Sequence, residues 1–204
     1  MVIRTLADLQ HRLGDIPPGR IRMDPPPGTA TAADVTRLQE KEGVLCELID
    51  GVLVEKSMGY KESGLAIWIA RLLGTFVEKH NLGLVTGADG TMQLMAGLVR
   101  IPDVAFVSWD RIPGDGWPEE PIPDLVPNLA VEVLSRSNTP GEMRLKREDY
   151  FSTGVELVWE VDVEARTVTV WTSETESTKL KGKATLDGGD VLPGFSCKVA
   201  ELFA

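Results

Sequence analysis

Three charged residues stand where an apolar core would ordinarily reject them, and their types suit metal-assisted hydrolysis of a phosphodiester. Asp103 follows Pro102 in the run Arg100-Ile101-Pro102-Asp103-Val104-Ala105-Phe106-Val107. Glu132 lies inside Leu129-Ala130-Val131-Glu132-Val133-Leu134, and Lys146 follows on a segment of helical character. A carboxylate within an apolar strand is costly to desolvate unless a cation, a metal or hydrogen bonds meet it. Two carboxylates brought close repel each other unless one is protonated or a cation lies between them. Oxygen ligands of this kind suit Mg²⁺ or Mn²⁺, which keep several waters and borrow further oxygens from a phosphate. An ion so held lowers the pKa of a bound water and neutralises charge building on the phosphate.

The surrounding elements must bring these residues together. Strand alternation places Ala130, Glu132 and Leu134 on one face and Leu129, Val131 and Val133 on the other. Asp103 shares a face with Ala105 and Val107. Antiparallel pairing of these two strands would set both carboxylates side by side. Glu142, Lys146 and Tyr150 recur at four-residue steps and line one helical face. Each residue also has a plainer reading: Lys146 as an exposed partner of Glu142, Glu132 as an edge-strand position, Asp103 as the start of a strand. The joint pattern is more specific than any member.

Along the chain, Thr5 opens a short helix with Leu6, Leu9 and Leu13 on one face, closed by Gly14. Residues 16–28 are Pro-rich and read as an arm along the surface. A second helix is expected over 31–41, ending at Gly43. Segments 44–49 and 52–55 flank Asp50-Gly51, the dipeptide of a type I′ hairpin turn. Leu65, Ile69, Leu72 and Phe76 recur at helical spacing and predict a long helix over 60–80. Strands over 84–86 and 91–95 surround the turn 87–90, and the two acidic strands follow. Between those, 109–128 is rich in Pro and Gly, and its Trp117 either covers a substrate groove or pins the loop to the body. Thr139-Pro140-Gly141-Glu142 carries the capping-box pattern of a helix running to about 153. A hairpin over 155–162 and 167–171 and weaker strands complete the chain. The result is an α+β fold, a central mixed β-sheet flanked by helices, in one domain over 31–204. A helix and Pro-rich arm precede it over 1–30.

The chain has 204 residues, 43% hydrophobic and 25% charged, which suits one globular domain. No apolar run approaches the roughly 18–20 residues that cross a bilayer, so no membrane partner is expected. The N-terminus is too polar for a signal-peptide core. Cys46 and Cys197, far apart in apolar contexts, indicate neither a disulfide framework nor a cysteine metal site. A cytoplasmic location is expected. His11 and His80 fall on presumed helix exteriors. The net charge of −10 counts against a nonspecific nucleic-acid binder, which ordinarily presents a basic face.

Several segments taken in order resemble the Uma2 family of endonucleases. They are Ile101-Pro102-Asp103-Val104, the stretch 124–135 holding Glu132, then Lys146 with Tyr150, and 154–162. Glu47-Leu48-Ile49-Asp50-Gly51 and Leu192-Pro193-Gly194-Phe195 add to them, so that the resemblance covers roughly 40–204. It implies a PD-(D/E)XK restriction endonuclease-like core with extra N-terminal helices and β-hairpins. It also implies metal ligation by Asp103, Glu132 and the Val133 carbonyl. Leu134 stands where the wider superfamily carries lysine, and the family resemblance moves that charge to Lys146, with Tyr150 supporting it. Glu47 or Glu62 is a candidate further acid, and each reads equally well as a solvated or cap-adjacent glutamate. Arg136, Arg144 and Arg147 are candidate phosphate contacts, beside the turn 135–138 that leads into a helix N-terminus. The implied activity is Mg²⁺-dependent (or Mn²⁺-dependent) cleavage of DNA by a homodimer. The alternative is a catalytically inactive nuclease-fold module for nucleic-acid or protein interaction. A carboxylate-pair sugar hydrolase has no support in these motifs.

Overall fold

Capping side chains and left-handed residues mark element ends where the sequence places them. The structure, a computed structural model, describes residues 5–114 and 116–203; residues 1–4 of the expected N-terminal segment lie outside these. Helix α1 (Leu6–Arg12) begins at Thr5, whose hydroxyl accepts the Asp8 N–H at 3.1 Å while the Asp8 carboxylate accepts the Thr5 N–H. Helix α2 (Ala32–Glu42) stops at Gly43, with φ of 68°. Strands β1 (Cys46–Ile49) and β2 (Val52–Glu55) turn through Asp50 and Gly51, both at positive φ, as a type I′ hairpin requires. Helix α3 (Tyr60–His80) ends at the left-handed Asn81.

Strands β3 (Gly83–Thr86), β4 (Met92–Met95), β5 (Leu98–Arg100), β6 (Val104–Ser108) and β7 (Leu129–Leu134) follow. Helix α4 (Pro140–Thr153) is capped by the Thr139 hydroxyl, which accepts the Glu142 N–H at 3.0 Å. Strands β8 (Leu157–Asp162), β9 (Thr167–Trp171), β10 (Ser177–Lys181), β11 (Thr185–Gly188) and β12 (Leu192–Lys198) lead to a last short helix, α5 (Val199–Leu202).

The central sheet has the order β10-β9-β8-β7-β6-β3. All its pairs are antiparallel except β7 with β8, the two strands joined by the α4 crossover. A four-stranded antiparallel sheet, β2-β1-β5-β4, and the β11–β12 pair complete an α+β architecture. Alternation along β7 divides the core as expected. Leu129, Val131 and Val133 pack beneath α3 with Trp159 and Phe195, while Ala130 faces Tyr150 of α4 and Leu94 of β4. Among the described residues no helix is long and apolar enough to cross a membrane.

The structure changes or adds to the expected arrangement at four places. Asp103, expected within a strand, lies just before one: β5 and β6 belong to different sheets, and Ile101-Pro102-Asp103 forms the corner between them. Pro102 has no N–H to give to a ladder, which suits a break. The strands around turn 87–90 likewise separate, β3 joining the six-stranded sheet and β4 the four-stranded one. The Pro-rich arm is a packed element rather than a surface linker. Its Ile16 and Ile21 are buried with Leu9 and Leu13 against Val52 and Val54, and Ile21 bridges to Val54. Finally, Trp117 is 65% exposed and does not pin its loop. Buried Ile112 and Leu125 do so, with Arg111 donating to the carbonyls of Val126, Pro127 and Gly154.

The α3 contact with the central sheet depends on residues such as Ile69 and Leu73, which are fully buried. Ile69→Ala is expected to lower unfolding free energy by about 2–5 kcal/mol, measured by urea denaturation, without changing the fold seen by circular dichroism.

Candidate active site

The corner after β5 and the middle of β7 meet through two hydrogen bonds. Asp103 donates its own N–H to the Val131 carbonyl at 3.0 Å, and its carboxylate accepts the Val133 N–H at 2.7 Å. The aspartate thereby extends the β6–β7 ladder by one side chain and sits beside the backbone that carries Glu132. In an antiparallel edge a residue's N–H and C=O project from the same side, so the Val133 carbonyl shares the Asp103 side of β7.

Glu132 projects toward α4 from the face of β7 that it shares with Ala130, opposite the face of Val131 and Val133. Both its oxygens accept from the Lys146 ammonium at 3.0 Å, and the Tyr150 hydroxyl donates to one of them at 2.5 Å. The helical spacing of Lys146 and Tyr150 thus aims two donors at one carboxylate. Lys146 also lies 3.1 Å from Glu47 of β1. Glu47 in turn pairs with Arg100 of β5 at 2.7 Å and accepts the Ile101 N–H at 3.2 Å. Arg100 is itself shared with Asp149 of α4. On the far side, Lys56, just beyond β2, lies 2.8 Å from Asp103 and donates to the Ile101 carbonyl. Asp103, Glu132, Glu47, Arg100 and Lys146 are all buried.

Burial and neighbours set the protonation states. Burial pushes the Glu132 carboxyl up and Asp103 adds to this, while Lys146 and Lys56 pull it down; the net direction is upward. Burial would do the same to Glu47, but Lys146, Arg100 and Lys56 outweigh it and hold Glu47 well below the usual carboxylate range. Burial opposes the charge on Lys146, yet Glu132 and Glu47 prevail and raise its pKa, so it remains a cation at neutral pH. Burial, then Glu132 and Glu47, lift the Tyr150 hydroxyl well above its ordinary value, which keeps it a donor.

Asp103 also lines a cleft of about 290 Å³ between α3 and the turn at 87–89. Ser63, Ala66 and Ala70 on α3 and Gly87 and Ala88 on the turn leave it open because their side chains are small. Among the described residues no three His, Cys, Asp or Glu side chains form a preformed metal cage. Mg²⁺ seldom uses one, since it commonly takes one or two carboxylates, waters and a substrate phosphate. The donor set fits that habit. Asp103 offers hard oxygens that each accept one contact here, with lone pairs remaining, next to an open cleft.

The candidates sort by position. Asp103, Glu132, Lys146, Tyr150 and Glu47 come together in one network. Glu62 does not join it; it lines a separate groove of about 600 Å³ with Arg136, Asn138 and Arg147. Tyr150 supports Glu132 directly rather than Lys146. Lys146 does not form the plain helical pair with Glu142, which instead binds Arg20 and Asn138. The three arginines are each engaged by a carboxylate: Arg136 by Glu164, Arg144 by Glu148 and Arg147 by Glu160. They do not form an unpaired basic patch. Lys56 and Arg100 were not singled out from sequence. An arginine closing the apolar strand Leu98–Arg100 was the available signal for the second, whereas Lys56 at a hairpin end carries none.

A topology that places an acidic corner and an acidic strand beside a lysine-bearing crossover helix can be compared with known families. The model of one family, described as "Uma2: Putative restriction endonuclease", matches residues 32–200. The chain belongs to the Uma2 family. A crystal structure from Anabaena variabilis, described as a "putative nuclease belonging to DUF820", is similar with a TM-score of 0.73 and 19% identity. The likeness covers 85% of this chain and 97% of that one, and at such identity it carries the fold alone. No curated protein sequence matches the chain. This Uma2 protein therefore has the nuclease-type core, and its charged network occupies the corner where β5, β6 and β7 meet α4.

Glu47 contributes stability above the ordinary glutamate range, because its pKa is depressed on folding, and that contribution is lost as pH falls below that range. Glu132, with a raised pKa, works in the opposite direction. Glu47→Gln, which leaves Arg100 and Lys146 short of a counter-charge, is expected to cost about 3–5 kcal/mol at neutral pH by urea unfolding. The deficit relative to the parent protein should narrow below about pH 4, and Glu132→Gln should cost less than Glu47→Gln.

Proposed function

We propose that this Uma2 protein is a metal-dependent DNA endonuclease, with Asp103, Glu132 and the Val133 carbonyl as the ligand set for Mg²⁺ or Mn²⁺. The observation that supports it most is the bond from the Val133 N–H to the Asp103 carboxylate, which fastens one acid to the strand segment bearing the other. A divalent ion bound there would supply a water of lowered pKa and charge neutralisation at the phosphate. The chain's own residues do the rest. Tyr150 and Lys146 hold the Glu132 carboxylate in one orientation, as a precise site requires. Lys146, kept cationic by Glu132 and Glu47, acts as a fixed positive charge that orients the attacking water and stabilises charge on the phosphate; it is no general base. Lys56 supplies a second positive charge on the Asp103 side. The small residues of α3 and the turn at 87–89 admit the phosphodiester to Asp103.

A second reading, a nuclease-fold module without activity, draws on the pairing of Arg136, Arg144 and Arg147 with carboxylates and on the net charge of −10. Both disfavour tight binding to bare duplex. A homodimer with one site per protomer, acting in the cytoplasm on both DNA strands, completes the nuclease proposal.

Glu132→Ala and Lys146→Ala are each expected to abolish Mg²⁺- or Mn²⁺-dependent cleavage of plasmid and single-stranded DNA. Titration calorimetry with Mn²⁺ should show binding to the parent protein that Asp103→Asn weakens at least tenfold. Parent-like cutting by both alanine variants would overturn the site, and absence of Mn²⁺ binding below millimolar would favour the inactive module.

A further inference from the structure

We infer that Arg20 is a positioning residue, through which the N-terminal arm sets where the amines of Lys56 and Lys146 stand. The inference rests on the nuclease reading and concerns a segment that precedes the residues matched by the family model, 32–200. Arg20 uses its fork on two elements at once. Its Nε donates to the carbonyl of Glu55, the residue before Lys56, at 2.8 Å. Its terminal nitrogens bind the Glu142 carboxylate at 2.8 and 3.1 Å, one helical turn before Lys146. The two lysines of the network are therefore linked, through one residue each, to the same guanidinium. The pair is largely removed from water, with side-chain exposures of 12% and 5%, so it is screened little by solvent.

The rest of the arm is built to hold that fork in place. The Thr139 hydroxyl donates to the Gly14 carbonyl, and the backbones of Gly14 and Gly141 touch so closely that a Cβ on Gly141 would lie 2.6 Å from the Gly14 oxygen. Leu9, Leu13, Ile16 and Ile21 anchor the arm on Val52 and Val54 of β2. Asn138 also donates to Glu142, at 3.0 Å and on an oxygen shared with Arg20, and helps fix its carboxylate. The Arg20–Glu142 bridge explains why Glu142 is unavailable to Lys146, whose ammonium is left to Glu132 and Glu47. A lysine at position 20 could not replace it fully, because one ammonium lacks the planar fork.

The test uses the full chain with Arg20→Gln, Arg20→Lys and Gly141→Ala, the last favourable to a helix in itself and harmful only by pushing on Gly14. Cleavage of DNA in Mg²⁺ is followed well below the melting temperature, together with lysine Nζ resonances by ¹⁵N NMR. Arg20→Gln and Gly141→Ala are expected to lower kcat by about tenfold to a hundredfold with KM for DNA within about twofold, as misplacement of catalytic groups does. The Lys146 and Lys56 resonances should shift or broaden, and Arg20→Lys should restore only part of kcat. Unchanged lysine resonances, or full rescue by Arg20→Lys, would overturn the inference. Should Arg20→Gln not fold, Gly141→Ala carries the same readouts. Should the parent protein cut no DNA, the nuclease reading fails while the resonances still decide whether the arm places the two lysines.

Discussion

The ammonium of Lys146, held between Glu132 and Glu47 inside the protein, is the interaction on which the remaining geometry depends. Neither glutamate would be tolerated as an anion at its depth alone, and both oppose the burial that disfavours the charge on the lysine. Arg100 and Lys56 complete the balance, so the three carboxylates Glu47, Asp103 and Glu132 meet three cations. Such a network is a weak source of net stability, because desolvation offsets most of the attraction. Its value lies in orientation: each side chain is held by at least two partners, leaving little rotational freedom. Fixed orientation of this kind is what the proposed chemistry would need.

The corner at Ile101-Pro102-Asp103 makes the network reachable. A strand running straight from Leu98 to Ser108 would bury Asp103 within one sheet. The break instead sends β5 to the four-stranded sheet and β6 to the central one, leaving Asp103 between them with a cleft on one side and the Val133 amide on the other. The crossover through α4 then makes β7 and β8 parallel and lays Lys146 and Tyr150 over Glu132. Arm, hairpin and α4 converge at Arg20, so a segment of little regular structure is tied to the buried Glu142 and to the residue before Lys56.

Surface electrostatics follow a different rule. Arg136 and Arg144 are exposed and paired with carboxylates on the turn after β8 and on α4 itself. Exposed pairs of this kind contribute little to stability, and they do cancel the positive field that a run of arginines would otherwise project. Arg147 is more committed, lying against Glu160 and stacked 4.0 Å over the Trp171 ring.

Much was legible from the residues alone, because local physics decided it. Thr5 and Thr139 as caps, Asp50-Gly51 as a hairpin turn, the 60–80 helix and the split of β7 into a Glu132 face and a Val131 face all follow from periodicities and φ preferences that need no distant partner. Asp103, Glu132 and Lys146 stood out for the same reason, since a charge amid apolar neighbours is a local anomaly. Partners were another matter. The sequence could not say that Lys146 turns from Glu142 to Glu132 and Glu47, that Tyr150 reaches the glutamate, that Lys56 lies on Asp103, or that Arg136 and Arg147 are already engaged. Those pairings join residues up to about a hundred positions apart, and hydrogen-bond and ionic partners are chosen by which side chains the packed sheets bring within about 3 Å. The residue types were determined by the chain; which of them neutralise one another was decided only when β5 and β6 parted at Pro102 and the arm closed on α4.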